Sequence, residues 1–452
     1  MSEKLFGTDG IRSRAGDFPL NAVTIEAIGQ AIGEKLGGPL LVGYDTRVSC
    51  PWIFDLLKKG IQRTSAEIHD AGVIPTPGVA LLVKTEGYAG GIMISASHNP
   101  FEDNGVKVFA SNGTKLSDAA EAEIEQRVFK LLNGSTGAVQ QSDSIPDARI
   151  SAKNNTSFPG RYTEKLLSVF PPGQWLAGIP ITVDCANGAL SEVAPSVLRR
   201  LGAEVHVIHA SPTGMNINAN CGAVHLDSLT EEMKHHRAAF GVAFDGDGDR
   251  ALFVSMNGKK VDGDAILWLM ANVYHAECVV GTSMTNYALE LMLRKKGRTL
   301  VRVDVGDRFI FEEMQRTSVV CIGGEPSGHI IFPDFGLSGD GLLTALKVAE
   351  TLVKAGMSLD AISQVYQPAP HLLKGIRVEK KIPLNELPQA QQKIAEVQRE
   401  LTGRGRIVVR YSGTEPLLRV MIESDDAARN EKFMEEILEA VGKSLEKTQI
   451  HG

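Results

Sequence analysis

The sequence predicts an α/β protein of several domains, and three observations carry that prediction. Short apolar runs alternate with helical patterns along most of the chain, the order of elements that a parallel or mixed sheet with helices on its faces requires. The alternation lapses and restarts twice, giving three blocks of about 100–150 residues, the usual size of a domain. A chain of 452 residues also exceeds what one hydrophobic core organises, at ~150 residues per domain.

In the first block Leu40–Gly43 reads as a buried strand, Trp52–Arg63 as a helix and Gly90–Ser95 as another buried strand. Asp118–Leu132 is an amphipathic helix behind a Ser117 cap. Residues 133–158 are polar and rich in Gly, Ser and Asn, a surface excursion. The second block runs strand (Ile181–Asp184), helix (Glu192–Leu201), strand (Glu204–Ile208), helix (Leu229–Ala238) and strand (Gly241–Phe244). It closes with Ala251–Ser255 and a Met256-Asn257-Gly258 turn. The third begins with a helix near Asp264, sets strands at Cys278–Val280, Leu300–Val303 and Val319–Ile322, and ends in the helix Gly341–Ala355. No residue-level repeat links the blocks, so duplication is only suspected. The remainder has strands at Leu373–Val378, Arg406–Arg410 and Leu418–Ile422 and helices at Leu387–Leu401 and Ala427–Leu445, a smaller α+β unit. The expected domains are 1–157, 158–256, 257–369 and 370–452.

Composition narrows the function. Lys and Arg total 47 against 54 Asp and Glu, a formal charge of −7. This argues against nucleic-acid or acidic-membrane binding, but not against a small basic pocket. The five cysteines are scattered (Cys50, Cys185, Cys221, Cys278, Cys321). That pattern argues against a disulfide framework or a zinc site, and for a reducing cytosol. The N-terminus lacks an apolar signal core, and no stretch approaches the ~18 apolar residues of a spanning helix.

Four segments carry candidate chemistry. Ser95-Ala-Ser97-His98-Asn99-Pro100, followed by Asp103-Asn104-Gly105 and Lys107, comes directly after a buried strand, where ligands gather in open α/β sheets. A serine hydroxyl there needs a base or strong electrophile, and His98 and Lys107 are near in sequence. A plain Ser/Asn/Pro turn reads the same way. In Asp245-Gly-Asp247-Gly-Asp249-Arg250, alternate carboxylates can converge on one hard cation. An EF-hand is excluded, because Arg250 and Met256 stand where it needs Gly and Glu. Unless something positive sits among them, three such carboxylates repel; the alternative is a solvated acidic turn.

Arg410-Tyr-Ser412-Gly413-Thr414-Glu-Pro, with Arg419 downstream, offers hydroxyls, free N–H groups and two guanidiniums, a phosphate clamp. It is not a nucleotide P-loop. Gly323-Gly-Glu325-Pro-Ser327-Gly-His329 can bond sugar hydroxyls or an amine, or be an ordinary strand-to-loop turn. Arg12 and Arg47 each lie near a domain entrance, where a lone Arg is usually a surface ion pair. A cleft taking one contribution from each domain would make a phosphosugar enzyme.

The ordered set FGTDGIR, GYDTR, SASHNP with DNGVKVF, DGDGDR, GGEPSGH and RYSGTEPLLRVMIE resembles the α-D-phosphohexomutases from Phe6 to Glu423. VDCANGA, GMNINANCG, VDGD and GDRF support it, and the FGTDGIR and GMNIN…CG segments favour the branch acting on glucosamine phosphate. The resemblance implies four domains around a central cleft and a cytoplasmic isomerase. It would interconvert glucosamine 6-phosphate and glucosamine 1-phosphate for UDP-N-acetylglucosamine and cell-wall precursors. The alternative is a glucose or mannose phosphate mutase of the same family. Ser97 would carry the phosphoryl group and join Asp245, Asp247 and Asp249 around one Mg²⁺. Lys107 would be the general acid/base, which needs a pKa lowered by burial or a neighbouring cation. Arg12 and His98 would support the reacting groups, and Arg250 would contact phosphate. Glu325, Ser327 and His329 would read the sugar; Arg410, Ser412, Gly413, Thr414 and Arg419 would hold the idle phosphate. A hexose 1,6-bisphosphate is the implied intermediate and activator, and a homodimer is compatible. Ser13, Tyr44, Pro326, Tyr411 and Ala223-Val224 depart from the family pattern without removing a catalytic residue.

Overall fold

The computed structural model describes residues 4–7, 9–133, 157–335, 338–378, 381–411 and 417–450. Nearly all of the polar excursion, and the Ser412-Gly413-Thr414 part of the clamp, lie outside the described residues. By its contacts the chain gathers into two compact units, residues 1–282 with 303–365, and 283–302 with 366–452.

The first unit opens with β1 (Phe6–Gly7), β2 (Gly10–Arg14), α1 (Ala22–Leu36), β3 (Pro39–Tyr44), α2 (Cys50–Ile61), β4 (Glu67–Val73), α3 (Thr76–Glu86), β5 (Gly90–Ile94), β6 (Asp103–Ala110) and α4 (Asp118–Asn133). Asn21 caps α1 by accepting from the Thr24 N–H. The six strands order β1-β2-β6-β5-β3-β4, with β3, β4 and β5 parallel and β6 antiparallel to β5. Apolar side chains of α1, α2 and α4 pack with the sheet into one core that includes Ile28, Ile32, Leu57, Ile92 and Val128.

After α5 (Ser157–Leu167) come β7 (Pro180–Asp184), α6 (Val193–Arg200), β8 (Glu204–Ile208), α7 (Asp227–His236), β9 (Phe240–Phe244), β10 (Ala251–Ser255) and β11 (Lys260–Val261). The order is β11-β10-β9-β7-β8, parallel at β8-β7-β9 and antiparallel from β9 to β11. The third block contributes α8 (Gly263–Val273), β12 (Cys278–Thr282), and, after a segment belonging to the second unit, α10, β14 (Cys321–Gly324), β15 (Ile330–Ile331), α11 (Gly341–Ala355) and α12 (Leu359–Val365), α10 spanning Asp307–Arg316. Strand β14 is parallel to β12 and antiparallel to β15. The strand expected at Val319–Ile322 starts at Cys321 instead. Val319 and Val320 are 40% and 48% exposed, so the apolar run overshoots the sheet.

One arrangement recurs in all three blocks. The last parallel strand runs into a loop and returns as an antiparallel neighbour: β5 to β6, β9 to β10, β14 to β15. Those loops are 95–102, 245–250 and 325–329, the three loops singled out in this part of the sequence.

The second unit joins 283–302, with α9 (Tyr287–Lys295) and most of β13 (Thr299–Val303), to 366–450. The latter holds β16 (His371–Arg377), α13 (Pro388–Glu400), β17 (Gly405–Tyr411), β18 (Leu417–Ser424) and α14 (Ala427–Ile450). Its sheet is antiparallel in the order β16-β18-β17, covered by apolar residues of α13 and α14 such as Val397, Phe433 and Ile437. Glu423 on β18 accepts from Tyr287 N–H at 3.1 Å and pairs with Arg406 at 2.6 Å, fixing the two segments together. Among the described residues no helix is long and apolar enough to cross a membrane.

Candidate active site

Ser97 sits three residues past the end of β5 with φ 56°, a left-handed conformation that non-glycine residues adopt at a cost. The surrounding structure holds it there. Ser95 Oγ accepts the Ser97 N–H at 2.8 Å and donates to Asp45 Oδ2 at 2.6 Å. Arg47 Nε meets the same Asp45 oxygen at 2.9 Å, and its guanidinium donates to the carbonyls of Ser97 (3.0 Å), Asn99 (2.8 Å), Asp103 (2.9 Å) and Pro100. Asn218 Nδ2 donates to the Ser97 and Asn99 carbonyls at 2.9 and 3.0 Å. Arg47 is therefore not a surface ion pair: it is fully buried and is the post around which the serine loop folds. Its position just beyond the end of β3 was the available signal.

The acidic loop 245–250 closes over this serine. A Cβ on Gly246 would lie 2.5 Å from the Ser97 carbonyl oxygen, so only glycine allows that approach. Ser97 Oγ donates to Asp245 Oδ2 at 2.7 Å. One carboxylate oxygen each of Asp245, Asp247 and Asp249 lies within 4.8 Å of the others, and all three side chains are buried. Burial, then Asp249 and Asp247, pushes the Asp245 carboxyl well above the usual range. Asp247 Oδ1 and Asp249 Oδ1 are buried without a hydrogen-bond partner. Unsatisfied buried carboxylate oxygens beside a carboxyl driven toward protonation are the donor set that a hard divalent cation would satisfy.

Lys107 extends from β6, opposite Met93 of β5, and is 1% exposed. Its Nζ reaches Asp247 at 2.8 Å, Asp9 at 3.2 Å and Asp249 at 3.7 Å. The sequence argument asks for a lowered pKa. Burial does act that way, but Asp247, Asp9 and Asp249 outweigh it, and the ammonium is held well above its ordinary pKa. Lys107 is thus held as an ammonium in this arrangement, and it supplies part of the positive charge the acidic loop needs.

Four residues given no role in the sequence analysis complete the network. Asp9 is contacted by Arg12, Lys107 and Lys115; Lys115 also pairs with Asp307 at 2.7 Å. Thr76 donates to Asp247 Oδ2 at 2.5 Å. Asp9 and Asp307 lie inside the FGTDGIR and GDRF segments, whereas Lys115 and Thr76 carry no local signature.

Arg250, at the end of the acidic loop, reaches across to His98, the chain neighbour of Ser97. Arg250 NH1 lies 3.1 Å from His98 Nδ1, which is 3.3 Å from Ser97 Oγ. Burial first, then Arg250 and Arg12, pulls the imidazole pKa down to about 4. A guanidinium that always donates makes Nδ1 the acceptor, so His98 is neutral and orients rather than takes the serine proton. In the loop 325–329 Glu325 accepts from Gly306 N–H and Ser327 Oγ, each at 3.2 Å. His329 Nε2 accepts from Gly339 N–H at 2.7 Å, which leaves its Nδ1 proton facing Asp249 Oδ2 at 3.6 Å. The first unit thus brings Ser97, His98, Lys107, Arg12, the three aspartates, Arg250 and His329 into one connected network, with Glu325 and Ser327 in the adjoining loop.

In the second unit Arg410 and Arg419 are directly opposite in the β17-β18 register. Directly opposite residues of an antiparallel pair share one face of the sheet, so the two guanidiniums can reach one anion. Tyr411, which departs from the family pattern, donates to the Ile382 carbonyl at 2.6 Å and so anchors the strand.

Four family models match the chain in order. They are the phosphoglucomutase/phosphomannomutase α/β/α domains I (residues 3–134), II (161–258) and III (262–369) and the C-terminal domain (372–440). The chain belongs to the phosphoglucomutase/phosphomannomutase family. Within it the relatives point to one branch. The phosphoglucosamine mutase of Solibacter usitatus is 41% identical over 98% of this chain and 100% of its own length. That of Idiomarina loihiensis is 42% identical over 98% and 99%. A phosphoglucomutase/phosphomannomutase family protein from Burkholderia thailandensis shares the fold with a TM-score of 0.79 at 20% identity, covering 98% of each chain. An Aspergillus fumigatus N-acetylphosphoglucosamine mutase, solved with GlcNAc-6P and magnesium, does so with a TM-score of 0.63 at 17% identity, over 98% and 96%. As a family member the chain is a phosphohexomutase, an isomerase most similar to bacterial phosphoglucosamine mutases.

Proposed function

We propose that this chain interconverts glucosamine 6-phosphate and glucosamine 1-phosphate through a phosphoserine at Ser97 and a glucosamine 1,6-bisphosphate. The observation that supports it most is Ser97 Oγ held 2.7 Å from the acidic loop, in a strained loop pinned by Arg47 and Asn218. The four segments that match the family's domains would each supply one loop.

In the forward half, the bond from Ser97 Oγ to phosphorus breaks and one from phosphorus to the free sugar oxygen forms. The sugar hydroxyl gives up its proton and Ser97 Oγ ends protonated. Lys107, entering as an ammonium, would give a proton to Ser97 Oγ and take up the one the sugar hydroxyl loses, so that it ends as the ammonium it began; the reverse half runs through the same groups. Asp245, Asp247 and Asp249, with the phosphoryl on Ser97, would hold one Mg²⁺, which supplies positive charge to the transferring phosphoryl oxygens. Arg250 adds charge from the other side and fixes His98. Arg410 and Arg419 grip phosphate oxygens rather than a sugar face, so either phosphate of the bisphosphate fits. Glu325 is suited to a substrate ammonium, which favours glucosamine over glucose or mannose. The free, buried state of all five cysteines suits a reducing cytoplasm.

The test compares turnover of glucosamine, glucose and mannose phosphates, with peptide mapping after incubation with a hexose 1,6-bisphosphate. Phosphate on Ser97 and clear preference for the glucosamine compound are expected. Equal or better turnover of glucose or mannose phosphate overturns the substrate; phosphate elsewhere overturns the mechanism. Release of inorganic phosphate in place of the isomer would mark a phosphatase.

A further inference from the structure

A second cluster of metal-ligating side chains lies in the middle block, behind the serine loop. Asp184 ends β7, His209 follows β8 directly, and Cys221 lies in the loop before α7. One donor atom from each falls within 4.8 Å of the others. These are the carboxyl ends of parallel strands, where α/β sheets bind ligands. His209 Nδ1 pairs with Asp184 Oδ2 at 3.1 Å, and the Asp184 carboxylate also accepts from the Gly222 and Ala186 N–H groups at 2.9 Å each, which holds it in place. An imidazole nitrogen and a carboxylate oxygen at that distance have the separation of two ligands on one tetrahedral ion. The backbone is strained to bring them together. His209 has φ 48°, and Ala186 and Asn187, just after Asp184, have 53° and 49°.

We propose that Asp184, His209 and Cys221 bind one soft divalent cation of the zinc class, in addition to the hard-cation site at the acidic triad. Sulfur, imidazole and carboxylate select zinc over magnesium. On binding, the Cys221 thiol releases its proton to solvent as the sulfur–metal bond forms. His209, 31% exposed on its side chain, offers the way in. The site is one short step from catalysis. Asn218, three residues before Cys221, holds the Ser97 and Asn99 carbonyls, and the Asn187 carbonyl accepts from Thr46 at 2.5 Å. A surface trio of His206, Glu232 and His236 also offers three donors. It has no sulfur, and its stacked rings, centroids 3.5 Å apart, already share Glu232 Oε2.

The test uses the full-length protein stripped with chelator, then titrated with Zn²⁺ or Co²⁺ in excess Mg²⁺. Expected are one zinc retained per chain and a near-ultraviolet thiolate-to-cobalt charge-transfer band. Cys221→Ser should abolish the band, and both Cys221→Ser and His209→Ala should weaken zinc binding at least about tenfold. Asp247→Asn and His236→Ala should leave the band intact, which separates this site from the acidic triad and the surface trio. Circular dichroism confirms that each variant is folded, and His209→Ala stands in if Cys221→Ser is not. Absence of the band in the wild type, or a band and zinc affinity unchanged in folded Cys221→Ser or His209→Ala, overturns the proposal.

Discussion

Lys107 Nζ meets Asp247 Oδ2 at 2.8 Å, joining a strand of the first sheet to the acidic loop of the second through a pair of fully buried charges. Replacing Lys107 by Met leaves Asp247 and its neighbours without their cation. Removing one partner of a buried pair costs about 3–5 kcal/mol. The Lys107→Met protein should therefore unfold at lower urea in chelator than wild type, and Mg²⁺ should restore a larger share of stability to the variant. Urea titrations with and without Mg²⁺ measure both effects; equal Mg²⁺ responses would contradict the charge balance described above.

Arg47 tests the post of the serine loop. Lysine keeps the charge but cannot fork to Asp45 and four carbonyls at once. Arg47→Lys should cost about 2–4 kcal/mol and displace Ser97, lowering kcat by roughly 10²-fold. The check is kcat together with the rate at which Ser97 is phosphorylated by a bisphosphate. Both should fall, with KM little changed.

His98 gives a pH signature. Its folded pKa of about 4 lies below the ordinary 6.5, so the folded protein binds fewer protons than the unfolded chain between those values. The stability tied to its neutral ring is fully present above pH 6.5 and is lost as pH falls through about 4. His98→Gln should flatten that part of the stability profile. Denaturant unfolding of both proteins at intervals from pH 4 to 7.5 should show curves that diverge at the low end, and parallel curves would refute the assignment.

The facing Arg410 and Arg419 predict a shared role in binding. Arg419→Gln should raise KM by roughly tenfold as one phosphate contact is lost. Steady-state kinetics decide it; an unchanged KM would remove Arg419 from the clamp.

Much of this protein was legible before folding was considered. The fold class, most strands and helices, and the four chemical loops follow from local apolar periodicity and from runs of small and polar residues at strand ends. Helix Gly341–Ala355 and strand Ala251–Ser255 fall where the pattern put them. Val319 and Val320 did not, because a valine run marks β propensity and not the place where a partner strand begins.

What the sequence by itself determined was which side chains are chemically capable. The tertiary structure decided their states. Lys107 is held protonated because residues 9, 247 and 249, far apart in the chain, surround it with carboxylates. Arg47, read as a surface charge, is buried because the carbonyls of the serine loop turn inward to it. Asp184, His209 and Cys221, 12 to 37 residues apart, come together although nothing in their linear spacing marks them as a group. Charge state and ligand geometry depend on distances in space, and linear spacing reports those only when the ligands share one loop or helix.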